Sequence, residues 1–399
     1  MRLVFLSRWL PYPPSNGSKL RIFNLLKQLS ARGYEIHLLT FYEDGDAINE
    51  AIPNLKEFCS EVECIPYKPY RPTSLKALAG FFSFRPRSLV ATYQPQMAIH
   101  LKAILNAHLA DLVLASQLDM ANYGLLATKY KVPCFLEELE IGAIHQFNGD
   151  IKLRTRLRNK LTWVKYSKYI GYLGQHYKGI SVVSESEKEL IEPFAHNTPL
   201  HVLPNGVDVA AYQFRAYNAT TRKKQLIFNG ALTFNRNYEA VAYFLSEVFP
   251  KIRGREGDIE LFVTGKNSGV NLQELSSTLK GVTFTGFLDD IQPLMVESAV
   301  CVASILSGGG TRLKILEAFA LGTPVVSTSK GAEGLDVVNG THLLIADNPS
   351  DFVTAVSTLL HTPELAASLA LNARKLVEEK YCWNLIAENL DRILKELAF

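Results

Sequence analysis

The order of apolar and amphipathic runs constrains the fold of this chain more than any other feature. Residues 2–7 (RLVFLS) and 34–41 (YEIHLLTF) are apolar runs of strand length. Between them, residues 18–33 (SKLRIFNLLKQLSARG) place isoleucine and leucine side chains at helical spacing. A strand, a helix and a strand within about 40 residues predict a βαβ unit with parallel strands.

This alternation runs through the chain twice. The first series adds predicted strands at 111–116, 132–137 and 179–184, and predicted helices at about 152–178 and 184–194. The second series adds predicted strands at 225–230, 258–265, 282–287, 299–304, 323–328 and 342–346, and predicted helices at 349–361 and 363–380. We therefore predict an α/β chain with two doubly wound, Rossmann-like domains.

A Pro/Asn/Gly turn at 204–206 separates the two series. It predicts one domain over 1–205 and a second over 206–382. The amphipathic run at about 383–399 has no strand after it, and we expect it to pack back on the first domain. Ligands of open α/β sheets bind beyond the carboxyl ends of the strands, so we expect the site in a cleft that the two domains face across.

Composition excludes several classes of protein. Hydrophobic residues make up 47% and charged residues 20% of the 399, and the net charge of +3 makes no case for a nucleic-acid partner. The five cysteines form no C-x-x-C pair, which argues against a disulfide framework or a zinc site and favours a reducing cytoplasm. The N-terminus has too short an apolar run for a signal peptide, and no uncharged apolar run approaches the roughly 20 residues of a membrane span.

The stretch 307–326 (SGGGTRLKILEAFALGTPVV) combines a glycine loop with the start of a predicted helix. Thr311 is suited to cap that helix and Gly322 to end it. Backbone N–H groups at a helix N-terminus bind anions, and glycine lets the backbone approach a ligand closely. Residues suited to bind a phosphate here are Gly308, Gly309, Gly310, Thr311, Arg312 and Lys314. The alternative is a tight structural turn.

Glu317 is the only charged residue between Lys314 and Lys330, on a helix that is apolar nearly all round. A buried carboxylate without a partner costs several kcal/mol. Its partner is therefore either a nearby Arg or Lys or a pair of ligand hydroxyls, such as a ribose diol. No G-K-[ST] ends the glycine loop, so it is not a Walker loop. No G-x-G-x-x-G follows any predicted strand, which disfavours an NAD-dependent dehydrogenase.

The segment GGGTRLKILEAFALGTPVVSTSKGAEGL resembles the donor-binding segment of GT-B glycosyltransferases, in particular the retaining enzymes of family 4. Further segments agree with that family in order: PYPPSNGSKLRIFNLLKQLSARGYEIHLLT, SVVSESEKELI, PNGVD, IFNGALTFNRNYEAVAYF and TGF. The resemblance covers most of the chain and is weakest from about 42 to 110.

The resemblance implies roles for individual residues. Glu317 matches the second glutamate of the family's paired-glutamate motif, which holds the nucleotide ribose. Gly17, with its neighbour Asn16, matches the N-terminal loop that approaches the donor diphosphate. The TGF segment implies a nucleobase-proximal group of residues: Gly265, Thr285, Gly286 and Phe287.

The chain departs from the family at three places. Gly309 stands where the first glutamate of the pair is expected, and the usual cations after the first strand of the second domain are reduced to Arg236. A histidine is usual after the strand that matches 132–137. This chain has EELEIGAIHQF there, so Glu138, Glu140 and His145 are the catalytic candidates, with a loop histidine of no role as the alternative for His145.

The resemblance implies hexosyl transfer from a nucleotide-diphosphate sugar, with UDP-sugars and UDP-glucose favoured, and with retention at the anomeric carbon. The acceptor would be a glycan or a lipid-linked acceptor in polysaccharide or glycolipid assembly. No metal or other cofactor is expected. The alternatives are a nucleotide-sugar or glycan-binding scaffold of weak activity and a GT-B nucleotide-sugar epimerase.

The run 152–168 (KLRTRLRNKLTWVKYSK) is strongly basic. It is either a solvated helix face or a surface that contacts an anionic membrane. In the second case we expect the protein at the inner face of the plasma membrane.

Overall fold

The computed structural model describes residues 1–139, 153–196, 198–276, 280–308 and 312–398. Glu140 and His145 therefore lie outside the described residues, as do Gly309, Gly310 and Thr311. The chain divides into two compact units, one of Met1–Asn205 with Ile386–Phe399 and one of Gly206–Leu385.

The described residues of the first unit form a parallel sheet of seven strands in the order β3-β2-β1-β4-β5-β6-β7. The strands are β1 (Arg2–Ser7), β2 (Glu35–Tyr42), β3 (Glu61–Pro66), β4 (Leu112–Ser116), β5 (Cys134–Glu137), β6 (Gly179–Val182) and β7 (Leu200–Val202). Every residue of β4, β5 and β6 is buried, as expected for strands covered by helices on both faces.

Helices connect these strands and cover the sheet. They are α1 (Gly17–Ala31), α2 (Ile48–Lys56), α3 (Leu75–Ala79), α4 (Arg87–Ala91), α5 (Pro95–Asn106), α6 (Leu118–Thr128), α7 (Leu153–Gly174) and α8 (Glu185–Ile191). Strands β2 and β3 lie on one side of β1, and β4 to β7 lie on the other, so the order in which the chain adds strands reverses between β1 and β4. The carboxyl ends of these two strands therefore flank the topological switch point, where open α/β sheets bind ligands.

The described residues of the second unit form a parallel sheet of six strands in the order β10-β9-β8-β11-β12-β13. The strands are β8 (Lys223–Asn229), β9 (Glu260–Thr264), β10 (Val282–Gly286), β11 (Ser298–Ala303), β12 (Val325–Ser327) and β13 (Leu344–Ile345). Its switch point lies between β8 and β11.

The helices after β8 begin with α9 (Asn235–Tyr243), which continues through a π-helical turn at Phe244–Val248 into α10 (Phe249–Glu256). The others are α11 (Leu272–Ser276), α12 (Gln292–Glu297), α13 (Leu313–Leu321), α14 (Ser329–Ala332), α15 (Pro349–His361), α16 (Pro363–Lys380) and α17 (Trp383–Ala398). Residues of α17 belong to the first unit from Ile386 onward, and Tyr34 Oη donates to Asp391 Oδ1 there at 2.8 Å.

The predicted α/β class with two parallel sheets is confirmed, and each predicted strand is present with ends that differ by up to two residues. Segment 42–110, for which the sequence predicted no elements, contains β3 and four helices. Helix α13 begins at Leu313 with Arg312 at its N-cap, so the predicted cap at Thr311 is wrong by one residue. Gly322 ends that helix as predicted, in the left-handed conformation at φ 77°.

A buried ion pair fixes the carboxyl edge of the first sheet. Arg21 of α1 and Glu137 at the end of β5 are both fully buried, and Arg21 Nε donates to Glu137 Oε1 at 2.8 Å. The same guanidinium donates to the Leu203 and Pro204 carbonyls, both at 2.9 Å. Removing one partner would leave an uncompensated buried charge, so this pair holds the β5 end, α1 and the segment after β7 together.

We predict that Gly322→Ala destabilises the protein by at least about 2 kcal/mol, because a left-handed residue with a Cβ costs about 1–2 kcal/mol. That Cβ would also lie 2.4 Å from the Arg215 carbonyl oxygen. Urea unfolding measures the change. Gly254→Ala, inside α10 with no atom within 4 Å of the new Cβ, is the matched control. It should stabilise by about 0.5–1 kcal/mol. Equal effects of the two substitutions would contradict the assignment.

Candidate active site

Helix α13 places Glu317 at the switch point of the second sheet. The rest of the helix is apolar: Ile315, Leu316, Ala318, Phe319, Ala320 and Leu321 are buried. These side chains anchor the helix against β11 and β12. Glu317 is half-buried and turns toward the carboxyl end of β8. The position of the carboxylate is therefore set by the packing of its apolar neighbours.

Two neutral groups hold the Glu317 carboxylate. Asn229 Nδ2, at the last residue of β8, donates to Oε2 at 2.6 Å, and Tyr212 Oη donates to Oε1 at 3.4 Å. No Arg or Lys among the described residues forms an ion pair with it. The Arg or Lys considered from the sequence therefore forms no direct ion pair in the part of the chain that the structure describes, although the charge of Lys314 acts on the carboxylate. Each carboxylate oxygen accepts one of these hydrogen bonds and has lone-pair capacity for a further donor.

Burial raises the pKa of the Glu317 carboxyl to about 7, while hydrogen bonds from Tyr212 and Asn229 and the charge of Lys314 act in the opposite direction. Burial likewise lowers the pKa of the Lys314 ammonium to about 7. Each group favours the charged form of the other, but desolvation outweighs this attraction for both. The site is therefore poised to change its protonation when a charged or hydrogen-bonding ligand arrives.

Lys314 lies one turn before Glu317 on α13. Its Nζ donates to Asn237 Oδ1 at 2.9 Å and lies 4.3 Å from the centre of the Phe228 ring. A Cβ atom on Gly230 would lie 2.8 Å from this Nζ, so glycine after β8 leaves the room that the ammonium occupies. The Lys314 side chain thus lies beside the carboxyl end of β8, close to the same strand end as Glu317.

Arg236, Arg312 and Lys314 form a group that we call the cation cluster. Arg312 Nη2 donates to the Gly308 carbonyl at 2.8 Å and to the Lys330 carbonyl at 3.2 Å. Arg236, on α9, lies close to Gly308. A Cβ atom on Gly308 would be 2.6 Å from both Cδ and Nη1 of Arg236. Gly308 has φ 100°, which favours glycine. The sequence left open which cation faces a phosphate. The structure brings Arg236 and Arg312 to Gly308 and places Lys314 at the end of β8.

The predicted nucleobase-proximal residues follow β9 and β10. Gly265 has φ 110° and packs closely on the backbone of Gly230. A Cβ atom on Gly265 would lie 2.6 Å from the Gly230 carbonyl carbon. The Gly265 N–H donates to the Gly286 carbonyl at 2.8 Å. Thr285 Oγ1 donates to the same carbonyl at 2.9 Å. The Phe287 ring, 65% exposed at the next residue, offers an aromatic face beside this edge.

In the first unit, Asn16 and Gly17 lie at the start of α1. Asn16 is the N-cap, and its Oδ1 accepts from the Lys19 N–H at 3.0 Å. Gly17 is the first residue of the helix and is exposed. The Asn16 side chain is thus used in capping, while Gly17 leaves the backbone at the helix start open to solvent.

Glu138 lies in a polar cluster at the switch point of the first sheet, with Trp9, Ser18 and Gln117. Gln117 Nε2 donates to Glu138 Oε2 at 2.9 Å and to Ser18 Oγ at 3.0 Å, and Trp9 Nε1 donates to Gln117 Oε1 at 3.1 Å. Gln117 and Glu138 have φ 69° and 57°, which costs about 1–3 kcal/mol for each non-glycine residue. Such strain is concentrated at functional sites, and this pair directly follows β4 and β5.

Sequence reasoning missed most of the residues that hold these groups in place. Asn229 had a signal, since it is a polar residue at the end of an otherwise apolar strand and precedes glycine. Tyr212, Asn237 and Gln117 had none, because their roles depend on contacts with residues distant in the chain. Among the described residues, no group of three or more His, Cys, Asp or Glu side chains is placed to hold a metal ion.

Solved structures with the same fold define the class of protein. Sucrose-phosphate synthase from Thermosynechococcus elongatus matches with a TM-score of 0.72 at 15% identity, over 100% of this chain and 99% of that one. HepE from Anabaena in complex with UDP matches with a TM-score of 0.69 at 16% identity, over 100% of both chains. The fold is that of the GT-B glycosyltransferases.

Family models assign the chain more closely. Residues 15–211 match the model of Glycosyltransferase Family 4, and 223–362 match that of Glycosyl transferases group 1. The chain belongs to this family of glycosyltransferases.

Curated relatives are distant in sequence. An uncharacterized 44.6 kDa protein in the cps region of Klebsiella pneumoniae is 22% identical over 95% of this chain and 96% of its own. A phosphatidyl-myo-inositol mannosyltransferase of Mycolicibacterium smegmatis is 26% identical over 49% of this chain and 52% of its own.

We predict that Glu317→Gln gains stability relative to the wild type as pH rises from about 4.5 to 7. The pKa of the Glu317 carboxyl is about 7 in the folded protein, whereas its ordinary value, which applies to the unfolded chain, is 4.5. The stability that the protonated group contributes is therefore present below about pH 4.5 and lost by about pH 7. The expected difference reaches at most about 3 kcal/mol in the free energy of unfolding. Urea unfolding across this range measures it.

The exposed Glu260 of the same unit provides the control. Glu260→Gln should follow the wild-type pH profile. A constant difference between wild type and Glu317→Gln over pH 4.5–7 would contradict the raised pKa.

Proposed function

We propose that this glycosyltransferase moves a hexosyl unit from a UDP-sugar to a glycan or lipid-linked acceptor, with retention at the anomeric carbon. The observation that carries the proposal is the Glu317 carboxylate, which accepts hydrogen bonds from two neutral donors, Asn229 and Tyr212, and lies beside the cation cluster. A carboxylate next to cations at the switch point of a parallel sheet suits a nucleoside diphosphate, which presents a diol and two phosphates.

Glu317 would accept hydrogen bonds from the two ribose hydroxyls. Asn229 and Tyr212 fix the carboxylate from the protein side, which leaves its remaining lone pairs for the ligand. Hydrogen bonds to the charged form lower a carboxyl pKa, so the bound diol would favour the ionised Glu317. Donation to a charged acceptor makes these hydrogen bonds stronger than neutral ones.

The cation cluster would bind the diphosphate and stabilise the charge that develops on it as the sugar leaves. Without a ligand, burial lowers the pKa of the Lys314 ammonium to about 7. The negative charge of an arriving diphosphate favours the protonated form of Lys314. Arg312 is held by two backbone carbonyls and Arg236 lies against Gly308, so both guanidinium groups flank the loop before α13. Positioned cations of this kind supply electrostatic stabilisation without rearrangement during the reaction.

UDP is favoured as the nucleotide because HepE, which has the same fold, is solved with UDP and with UDP-glucose. In this chain the nucleobase would lie near Gly265 and Gly286, with the exposed Phe287 ring available for stacking. UDP-glucose is therefore the first donor to test. A lipid-linked acceptor is supported by the name of the Mycolicibacterium relative, a phosphatidyl-myo-inositol mannosyltransferase.

Retention would follow from front-face attack, in which the acceptor hydroxyl approaches the anomeric carbon on the side of the departing diphosphate. The bond from the anomeric carbon to the phosphate oxygen breaks, the bond to the acceptor oxygen forms, and the acceptor proton passes to the leaving group. This route needs no protein nucleophile. Glu138, oriented by Gln117, would position the acceptor bound by the first unit.

Slow hydrolysis of a panel of nucleotide sugars, followed by NMR, tests the proposal. We expect UDP-hexose to release free sugar first as the retained anomer, without a requirement for added metal. Release of the inverted anomer would overturn the retaining mechanism. Binding of every donor without turnover, with any acceptor, would instead establish a sugar-nucleotide-binding scaffold.

Glu317→Ala should weaken UDP binding by about 100-fold or more, since two hydrogen bonds to a charged group contribute about 1.5–3 kcal/mol each. Calorimetry with UDP measures the loss, and circular dichroism checks that the fold survives. Glu260→Ala is the matched control. Unchanged UDP affinity in Glu317→Ala would show that the ribose assignment is wrong.

Arg312→Ala and Lys314→Ala should each weaken UDP far more than uridine, because the nucleoside lacks the diphosphate that these cations would bind. The ratio of the two dissociation constants, measured by calorimetry, isolates the phosphate contribution. Lys251→Ala, on an exposed position of α10, should leave both constants unchanged. Equal losses for UDP and uridine would count against a phosphate role.

A further inference from the structure

Two segments of the first unit carry many basic residues and no acidic ones. Residues 64–110 and 151–184 contain no Asp or Glu, yet they carry 14 of the 42 Lys and Arg residues. The rest of the chain has 28 cations against 39 acids. A protein with a net charge of only +3 thus concentrates its positive charge in two stretches. The fold brings both stretches together through hydrogen bonds and ring contacts.

The first set of contacts fixes the loop 80–84 (GFFSF), which we call the aromatic loop. Lys165 of α7 donates from Nζ to the carbonyls of Gly80, Phe81 and Ser83, each at 2.9 Å. One ammonium thus uses all three of its protons on this loop. The loop is held in a single shape by the neighbouring helix.

Side-chain contacts extend this junction within the loop and just after it. The Phe84 ring packs edge-on against Tyr172 of α7 at 5.3 Å between centroids, and Ser88 Oγ lies 3.3 Å from Tyr166 Oη. The Arg87 guanidinium lies 4.1 Å from the centre of the Phe81 ring. Arg87 also donates from Nε to the Ala77 carbonyl of α3 at 2.7 Å, so the aromatic loop, α3, α4 and α7 form one continuous surface.

The apolar side chains of this surface point into solvent. Phe82 is 96% exposed, Phe81 is 58% exposed and Leu75 of α3 is 85% exposed. On α7, Leu157, Leu161 and Val164 follow one another at helical spacing and are also exposed. Single exposed apolar residues are ordinary, but a fixed loop that presents two adjacent phenylalanines beside an apolar helix stripe marks an interaction surface.

Cations surround these apolar residues. Arg71 and Lys76 are exposed beside Leu75, and Arg156, Arg158 and Lys160 are exposed among the leucines of α7. An apolar centre with a cationic margin and no acid in either segment matches the layers of an anionic bilayer, where acyl chains lie beneath phosphates. Among the described residues, no helix is long and apolar enough to cross a membrane, so the contact would be peripheral.

We propose that this surface docks the protein on a bilayer rich in anionic phospholipid, with Phe81 and Phe82 inserted among the acyl chains. The contact differs from that predicted from the sequence, which rested on the basic run 152–168 alone. The aromatic loop supplies the apolar insertion, while Arg156, Arg158 and Lys160 supply attraction to the phosphates. The proposal does not depend on the donor, the acceptor or the stereochemistry of transfer.

Co-sedimentation of the full chain with vesicles tests this surface. The vesicles contain phosphatidylcholine alone or with 30% phosphatidylglycerol, in about 0.1 M or 0.5 M salt, between which the Debye length shortens about twofold. We expect binding to the anionic vesicles at low salt, weaker binding at high salt, and little binding to phosphatidylcholine alone. Absence of binding to anionic vesicles at low salt would overturn the proposal and favour an acidic protein partner for the same surface.

Matched variants separate insertion from general electrostatic attraction. Phe81→Ser/Phe82→Ser should lower the partition coefficient by about tenfold or more, because the apolar insertion is lost. Arg156→Gln/Arg158→Gln should lower it by about 25-fold, since each basic side chain near an anionic surface contributes about a factor of five. All substituted residues are exposed, and circular dichroism checks the fold.

The control variants make the same kinds of substitution on exposed residues of the second unit. Leu371→Ser removes an exposed apolar side chain from α16, and Lys251→Gln/Arg255→Gln removes two exposed cations from α10. Both should bind vesicles as the wild type does. If the two charge variants weaken binding equally and the phenylalanine variant changes nothing, the contact is general electrostatic attraction and the docking surface is wrong.

Discussion

Parallel strand pairing is the constraint on which the rest of the structure depends. Because every named strand pair in both sheets is parallel, the carboxyl ends of the strands meet at one edge of each sheet. Residues far apart in sequence are thereby placed side by side at the switch points. Asn229 reaches Glu317 across 88 residues, and Gln117 reaches Ser18 across 99. Each of these two polar clusters forms because the strand ends of its own sheet share an edge.

Desolvation governs the chemistry of the donor side. Glu317 and Lys314 lie one turn apart on a helix most of whose other residues are buried, and burial moves the pKa of each toward 7 from opposite directions. Neutral partners, Asn229, Tyr212 and Asn237, hold the two side chains without cancelling their charges. A site built this way keeps its binding capacity for a ligand, whereas a direct ion pair would have satisfied the two groups with each other.

The sequence predicted the fold well where the apolar pattern is strong, and poorly where it is not. Strand β1 and helices α15 and α16 have the predicted bounds, because continuous apolar runs and helical spacing are local signals. Segment 42–110 lacks such runs: β3 is a short edge strand, only one of whose six residues is buried, and α3 and α4 have five residues each. The same segment supplies the aromatic loop, whose exposed phenylalanines gave no helix or strand pattern to detect.

By itself the sequence determined the α/β class, the family resemblance and the importance of a lone acid in an apolar helix, because each of these is a property of neighbouring residues. The tertiary structure decided which groups surround that acid, which cations meet at Gly308, and how Lys165 of one basic segment fixes the aromatic loop of another. These outcomes depend on contacts between residues that are tens to hundreds of positions apart. Sheet order and helix packing set such contacts, and neither can be read from local spacing.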